Sequence, residues 1–375
     1  VNLYDGAVAA QDEVLFEVVN CIGVVTLNRP RALNALSHGM IRAISAQMTA
    51  WATDDDVKAV LVEGAGDKAF CAGGDVRALY DSRLTGGTLH HEFFVDEYRL
   101  NYLTHRYPKP YLALLDGIVM GGGMGLSQGA ALRLVTDKTR LAMPETGIGL
   151  FPDVGASWFM GRVAVTLSRY LGIAGVTIGA ADALYAGLAD LWLPGDAPTH
   201  VRERLWSLDW DAGNTADPLA QLRDALAPLG RTWAEDPPLA RERVSVDRHF
   251  SAPDVAGIVA SLAADADSAW ARDTLMLLQS RSPLMMCVTD RQLALGRRLD
   301  LADCFRLELG LGYRAFEDGD FMEGVRALLV DKDKQPRWRP AALAQVTPAR
   351  IEAFFTSPWA SASHPLADLG KSADS

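Results

Sequence analysis

Apolar residues occur along this chain in two kinds of pattern, and the change from one to the other divides it. In the first half they form short, dense runs: 14–19 (VLFEVV), 24–27 (VVTL), 57–62 (VKAVLV), 111–115 (YLALL) and 132–136 (LRLVT). Runs of this length, rich in β-branched and aliphatic residues and bounded by turn residues, predict strands. A turn at 20–23 joins the first two runs as a hairpin. Between strands, apolar residues recur every three or four positions. Met40, Ile41, Ile44 and Met48 predict a helix capped by Ser37. A helix is expected from about Val76, a glycine-containing loop over 84–88, and a further helix over 91–106 with Phe94, Tyr98 and Leu103 roughly on one side. The glycine cluster 121–125 opens another helical run that extends through Leu126 and Ala131. Strands alternating with helices across tight glycine turns predict an α/β or α+β fold class for this half.

Beyond Arg162 the pattern becomes helical. Helices are expected over 163–171, 180–188, 265–279, 289–298 and 302–317, with turns at 193–198 and at Pro237-Pro238 and a frayed tail after Ser363. This places a core over 1–195 and a mainly helical region over 196–375 that packs on it.

Composition changes this picture little. At 375 residues, 49% hydrophobic and 22% charged, the chain has ample material for a large buried core. A net charge of −11 argues against a general nucleic-acid binder, which would present a basic face. Cys21, Cys71, Cys287 and Cys304 are scattered, with no CxxC pair, so neither a disulfide framework nor a metal site is expected. No apolar run is long enough to cross a membrane, and the start of the sequence lacks a signal or transit pattern. A soluble cytoplasmic protein, without membrane partners, is the expectation.

Candidate chemistry concentrates in four places. Gly73-Gly74 and Gly121-Gly122-Gly123 each follow an apolar run and precede a helix. Helix-start amides are unpaired, and glycine lets a ligand approach them, so two facing turns could hold an oxyanion. Close helix–strand packing would explain the same glycines. Glu145 and Asp153 stand eight residues apart in a loop otherwise made mostly of Gly, Pro, Met, Ile, Leu and Phe. Partial desolvation would raise the pKa of either and suit it to acid, base or nucleophilic work; capping or bracing the loop is the plainer role. Neither a GxxxxGK[ST] nor a complete GxGxxG is present. Gly125-Leu-Ser127-Gln-Gly129 matches the nucleophile elbow of serine hydrolases, but the serine falls inside a helical run and no histidine stands in a supporting motif.

Four segments in order, LNRPRALNAL (27–36), KAFCAGGD (68–75), MGGG (120–123) and MPE (143–145), resemble the crotonase, or enoyl-CoA hydratase/isomerase, superfamily. The resemblance implies a spiral of ββα units that binds acyl-CoA, with the amides of Gly74 and Gly122 as the oxyanion hole. It also implies that Arg31, Ala72 and Asp75 lie on the CoA-binding surface. Hydratases of this fold carry a first catalytic glutamate two residues after the GGG triplet, where this chain has Gly125; only Glu145 remains. With Asp153, with Glu97 in FVDEY (94–98) and with FMEGVRALLVDKD (321–333), the chain looks like the 3-hydroxyisobutyryl-CoA hydrolase branch. That implies thioester hydrolysis in valine catabolism. Glu145 would attack the acyl carbon or activate water, Asp153 would orient the 3-hydroxyl and protonate the leaving thiolate, and Glu97 would contact the acyl group. CoA belongs to the substrate, so no separate cofactor is implied, and the superfamily's habit of assembling implies a homo-oligomer. Three other readings stay open. They are an isomerase or hydratase with Glu145 as proton shuttle, a non-enzymatic binding module, and a serine hydrolase.

Overall fold

The inner strands of the central sheet are buried on both faces, which explains why they read as nearly unbroken apolar runs. The structure is a computed structural model that describes residues 10–211, 217–231 and 236–371. Its strands are β1 Val14–Val19, β2 Ile22–Leu27, β3 Ala59–Gly64, β4 Ala69–Cys71, β5 Tyr111–Leu115, β6 Ile118–Met120, β7 Leu132–Thr136, β8 Arg140–Ala142 and β9 Leu191–Leu193. The large sheet has the order β1-β2-β3-β5-β7-β9, antiparallel between β1 and β2 and parallel elsewhere. Asn20 and Cys21 join the hairpin with φ of 49° and 61°, the paired left-handed conformation that matches strand twist.

The period of two assigns the faces. Val60 and Val62 of β3, with Tyr111, Ala113 and Leu115 of β5, enter the main core. Ala59, Leu61, Leu112 and Leu114 point the other way, under Val201, Leu205, Leu222 and Leu226. The latter four come from the helices Ala197–Trp206 and Pro218–Leu226. The main core runs from Val14 to Leu366 without a break, drawing on both sides of position 195.

A second sheet, β4-β6-β8, is wholly parallel. Its three-residue strands are too short to show any periodicity, and the sequence pattern missed them. Seven helices frame or brace the site: α1 His38–Ala52, α2 Val76–Leu84, α3 Leu89–His105, α4 Gly122–Gln128, α5 Pro283–Gly296, α6 Leu301–Glu317 and α7 Phe321–Val325. Ser37 caps α1 by accepting from the Met40 amide, as its position predicts.

Several expectations need correction. The stretch read as a turn at 193–198 begins with the end of β9, since Leu193 pairs with Thr136. The helix expected over 265–279 begins only at Ala269, where Ser268 caps it through the Ala271 amide, and a separate helix, Val255–Ala264, precedes it. The expected frayed tail is packed as far as Lys371. Leu366 is fully buried, Arg99 grips Asp368 at 2.7 Å, and Arg306 donates to the carbonyls of Leu366 and Leu369. Residues 372–375, also part of that expectation, lie outside the described residues.

Candidate active site

The carboxyl ends of the three short parallel strands deliver the site, as the edge of a parallel sheet commonly does. After β4 comes Ala72-Gly73-Gly74, after β6 Gly121-Gly122, and after β8 Met143-Pro144-Glu145. Leu36 forms a lone parallel bridge with Gly74, its amide donating to the Gly73 carbonyl at 2.8 Å and its carbonyl accepting from Asp75 N–H at 2.9 Å. A parallel bridge uses the residues on either side of Gly74, so the Gly74 N–H faces away from Leu36. Gly122 is the first residue of α4, where an amide has no acceptor within the helix. Among the described residues neither N–H donates a hydrogen bond.

The two bends abut. A Cβ at Gly122 would lie 3.2 Å from the Gly74 nitrogen, and one at Gly73 would lie 3.6 Å from the Gly122 nitrogen. Gly73 and Gly121 also need φ of 111° and 48°, which side chains resist. The packing explanation offered for the glycines applies at Gly123, and the two bends do face each other. Gly123 packs tightly against the Cys71 carbonyl, while Gly74 and Gly122 present free amides to a common space.

That space is a cavity of about 230 Å³. Its walls include Ala72, Gly74, Phe93, Phe94, Glu97, Gly122, Glu145, Ile148, Leu150, Asp153, Leu328 and Leu329. Glu145, Glu97 and Asp153 are 5%, 2% and 5% exposed, three carboxyls in one apolar chamber. Glu145 Oε1 would lie 3.0 Å from a Cβ at Gly121, beside the amide bend, and its Oε2 has no partner. Glu97 Oε1 is likewise unpartnered, and Asp153 accepts from the Tyr98 hydroxyl at 2.8 Å. Residues 94, 97 and 98 share one face of α3, so the FVDEY motif is the inner stripe of a helix.

Burial sets the protonation. It pushes Asp153 up to about 7, with the Tyr98 hydrogen bond opposing. Burial also raises Glu97 and Glu145, and the charge of Asp153 adds to both. Arg281, itself held by the Ala174 carbonyl at 2.9 Å, pulls Glu145 the other way. All three carboxyls therefore hold their protons to higher pH than free ones do, which suits the chamber to passing a proton near neutral pH. Such a chamber can stabilise an oxyanion, deliver a nucleophile or base, and return a proton.

The C-terminal helices position the Asp153 loop. Val154 and Gly155 adopt φ of 54° and 92°; for a β-branched residue this is strained, and it turns Asp153 inward. Glu308 of α6, fully buried, accepts from Gly155 N–H at 2.7 Å and Ser157 N–H at 2.8 Å. Gln292 of α5 donates to the Pro152 carbonyl at 2.6 Å. Sequence reasoning missed Glu308 and Gln292. The signal for Glu308 was an acid on the apolar face of an amphipathic helix, between Phe305 and Leu309. The FMEGVRALLVDKD motif forms α7 and a wide turn, Arg326–Val330, that lays Leu328 and Leu329 on the cavity.

Not every predicted residue converges here. Ala72 lines the cavity. Asp75 caps α2 through the Ala78 amide and pairs with Arg29 at 3.1 Å. Arg31 is exposed on the short turn Pro30–Ala32 and is not part of the cavity wall. Asn34 secures that turn, donating to the Ala65 and Ala69 carbonyls. Ser127 is excluded as a nucleophile: it is fully buried inside α4, and its hydroxyl donates to the Met124 carbonyl. Gly125 leaves no room for a side chain, since a Cβ would lie 2.6 Å from Val154 Cβ and 2.8 Å from Asn101 Nδ2. Among the described residues no helix is long and apolar enough to cross a membrane.

Residues 22–355 match the family described as Enoyl-CoA hydratase/isomerase. The 3-hydroxyisobutyryl-CoA hydrolase, mitochondrial, of Danio rerio is 41% identical over 93% of this chain and 90% of its own length. The human protein of the same name is 36% identical over 93% and 89%. A crystal structure described as a carnitinyl-CoA dehydratase from Mycobacterium thermoresistibile superposes with a TM-score of 0.84 at 39% identity, covering 92% of this chain and 96% of that one. One described as an enoyl-CoA hydratase from Rhodobacter sphaeroides gives 0.83 at 33% identity, covering 92% and 98%.

Proposed function

The chain belongs to the enoyl-CoA hydratase/isomerase family, and we propose that within it this protein hydrolyses a short 3-hydroxyacyl-CoA thioester, foremost 3-hydroxyisobutyryl-CoA, to the free acid and CoA. The observation that carries the reading is the buried pair Glu145 and Asp153 beside the free amides of Gly74 and Gly122, with Gly125 closed to any side chain. The animal relatives named for that hydrolysis support the choice of acyl group.

In this reading the thioester oxygen accepts from both amides, which strengthens as negative charge develops on it. Ionised Glu145 either attacks the acyl carbon, giving a mixed anhydride that water then opens, or takes a proton from the water that attacks. In both routes the C–S bond breaks and the thiolate leaves with a proton from the carboxylic acid of Asp153. One water is consumed, and the acid and free CoA thiol are the products. Asp153 also orients the acyl hydroxyl, and Glu97 contacts the acyl group. Arg31 and Ala72 meet the CoA arm, and Asp75 contributes to that surface through Arg29. No resident cofactor is needed. A role in valine catabolism and a cytoplasmic location belong to the same proposal; cell fractionation with an antibody tests the location, since the animal relatives are named mitochondrial.

Hydration or dehydration of an enoyl-CoA is the second reading, favoured by the descriptions of the two solved structures. A panel of acyl-CoAs separates them. Thiol release from 3-hydroxyisobutyryl-CoA and 3-hydroxypropionyl-CoA, without loss of the crotonyl-CoA double bond, is the expected result. Hydration of crotonyl-CoA faster than any thiol release overturns the proposal.

A further inference from the structure

A second cluster lies where α3 meets the end of α6, away from the thioester chamber. His90 and His91 begin α3, and Glu317 ends α6. Each offers one ligand atom, and these atoms all lie within 4.8 Å of one another. His90 is 4% exposed, and neither of its ring nitrogens has a hydrogen-bond partner. A buried imidazole with two idle nitrogens costs stability unless something occupies them. Its Nε2 faces Glu317 Oε1 at 4.0 Å, while Arg83 holds the other carboxylate oxygen at 2.9 Å.

The rings are braced. His90 stacks on Phe316 and His91 on Tyr313, with centroids 5.0 and 5.2 Å apart. Beside them opens a separate cavity of about 230 Å³, which both histidines line, so an ion has room and a way in. Two imidazoles and a carboxylate are the donor set of zinc-class sites, which need ligand atoms about 2.0–2.2 Å from one centre. Glu317 is exposed, and by swinging its free oxygen toward the two rings it can close the remaining gap.

We propose that His90, His91 and Glu317 bind a divalent transition-metal cation of the zinc class, which ties α3 to α6. The tie matters because α3 carries Glu97 and Tyr98 and α6 carries Glu308, the residues that line or brace the catalytic chamber. Phe94 lines both cavities. Cysteine spacing along the chain offered no hint of this site, because its donors are histidines joined to a glutamate far away in sequence.

The test uses tag-free, chelator-stripped full-length protein titrated with Zn²⁺ by calorimetry, with thermal melts in parallel. One saturable equivalent and a raised Tm are expected. His91→Ala and Glu317→Gln should each weaken binding by at least about tenfold, since even outer partners of metal ligands cost that much. His200→Ala, at a histidine outside the cluster, should change nothing. Glu317 is exposed, so its variant folds even if His91→Ala does not. Absence of saturable binding, or binding undiminished in Glu317→Gln, overturns the assignment. Neither readout depends on thioester hydrolysis.

Discussion

Adding one methyl group at Gly122 tests the amide pair directly. The position is not among the glycines with left-handed φ, so alanine meets no backbone penalty there. The new Cβ would stand 3.2 Å from the Gly74 nitrogen and 2.6 Å from Glu97 Oε1. An oxyanion within hydrogen-bond reach of both amides, at about 2.7–3.1 Å, must occupy the space that the methyl takes. Gly122→Ala therefore removes one donor in effect, with Glu97 turning aside and the Gly74 bend giving slightly. Loss of one preorganised donor costs about 10²–10³ in kcat, or about 2.7–4 kcal/mol. The donors act mainly on the developing charge, so KM should move far less than kcat. Stopped-flow thiol release on 3-hydroxyisobutyryl-CoA gives both constants, and a thermal melt shows that the variant is folded. A folded variant with kcat within about threefold of the parent would refute the amide pair, because known donors of this kind cost far more.

Glu145→Gln keeps the shape of the chamber but removes its base or nucleophile, so thiol release should fall by at least about 10² while CoA still binds by calorimetry. The pH–rate profile should be bell-shaped. The raised carboxyls titrate as one interacting set, so activity rises as the first of them ionises and falls as the proton that the leaving thiolate needs is lost, and Asp153→Asn should move the alkaline limb. Stability carries the same sign. Burial raises Asp153 to about 7 and Glu308 to about 8, above their unfolded values, so their contribution is full below the unfolded pKa and is lost as pH rises through the folded one. The fall in Tm between about pH 4 and about pH 8 should shrink in Glu308→Gln, and an unchanged slope would count against the buried acid. Gly125→Glu should lower Tm through the clash with Val154 and Asn101 and should gain no hydration of crotonyl-CoA; a stable, hydrating variant would show that the position is open.

What the sequence determined by itself was whatever depends on neighbours along the chain. The four inner strands of the large sheet owe their runs to burial on both faces, while the edge strand β9 was too short to register. The cap at Ser37, the glycine bends and the loop bearing Glu145 and Asp153 are local events of the same kind. The ordered motifs were also enough to identify the family, now matched over residues 22–355. The spacing of the motifs could not say which residues meet. That was decided by the three-residue strands β4, β6 and β8, which hold each other in register across distant stretches of chain and line up Gly74, Gly122 and Glu145 at one edge. It was decided again by Glu308 and Gln292, reaching from α6 and α5 to fix the Asp153 loop. Their hydrogen bonds join residues far apart in the chain, and no local pattern encodes them. Protonation is likewise a property of the assembled chamber. The Asp153 carboxyl is pushed up to about 7 because folding strips its water, and that condition does not exist until the chain has closed around it.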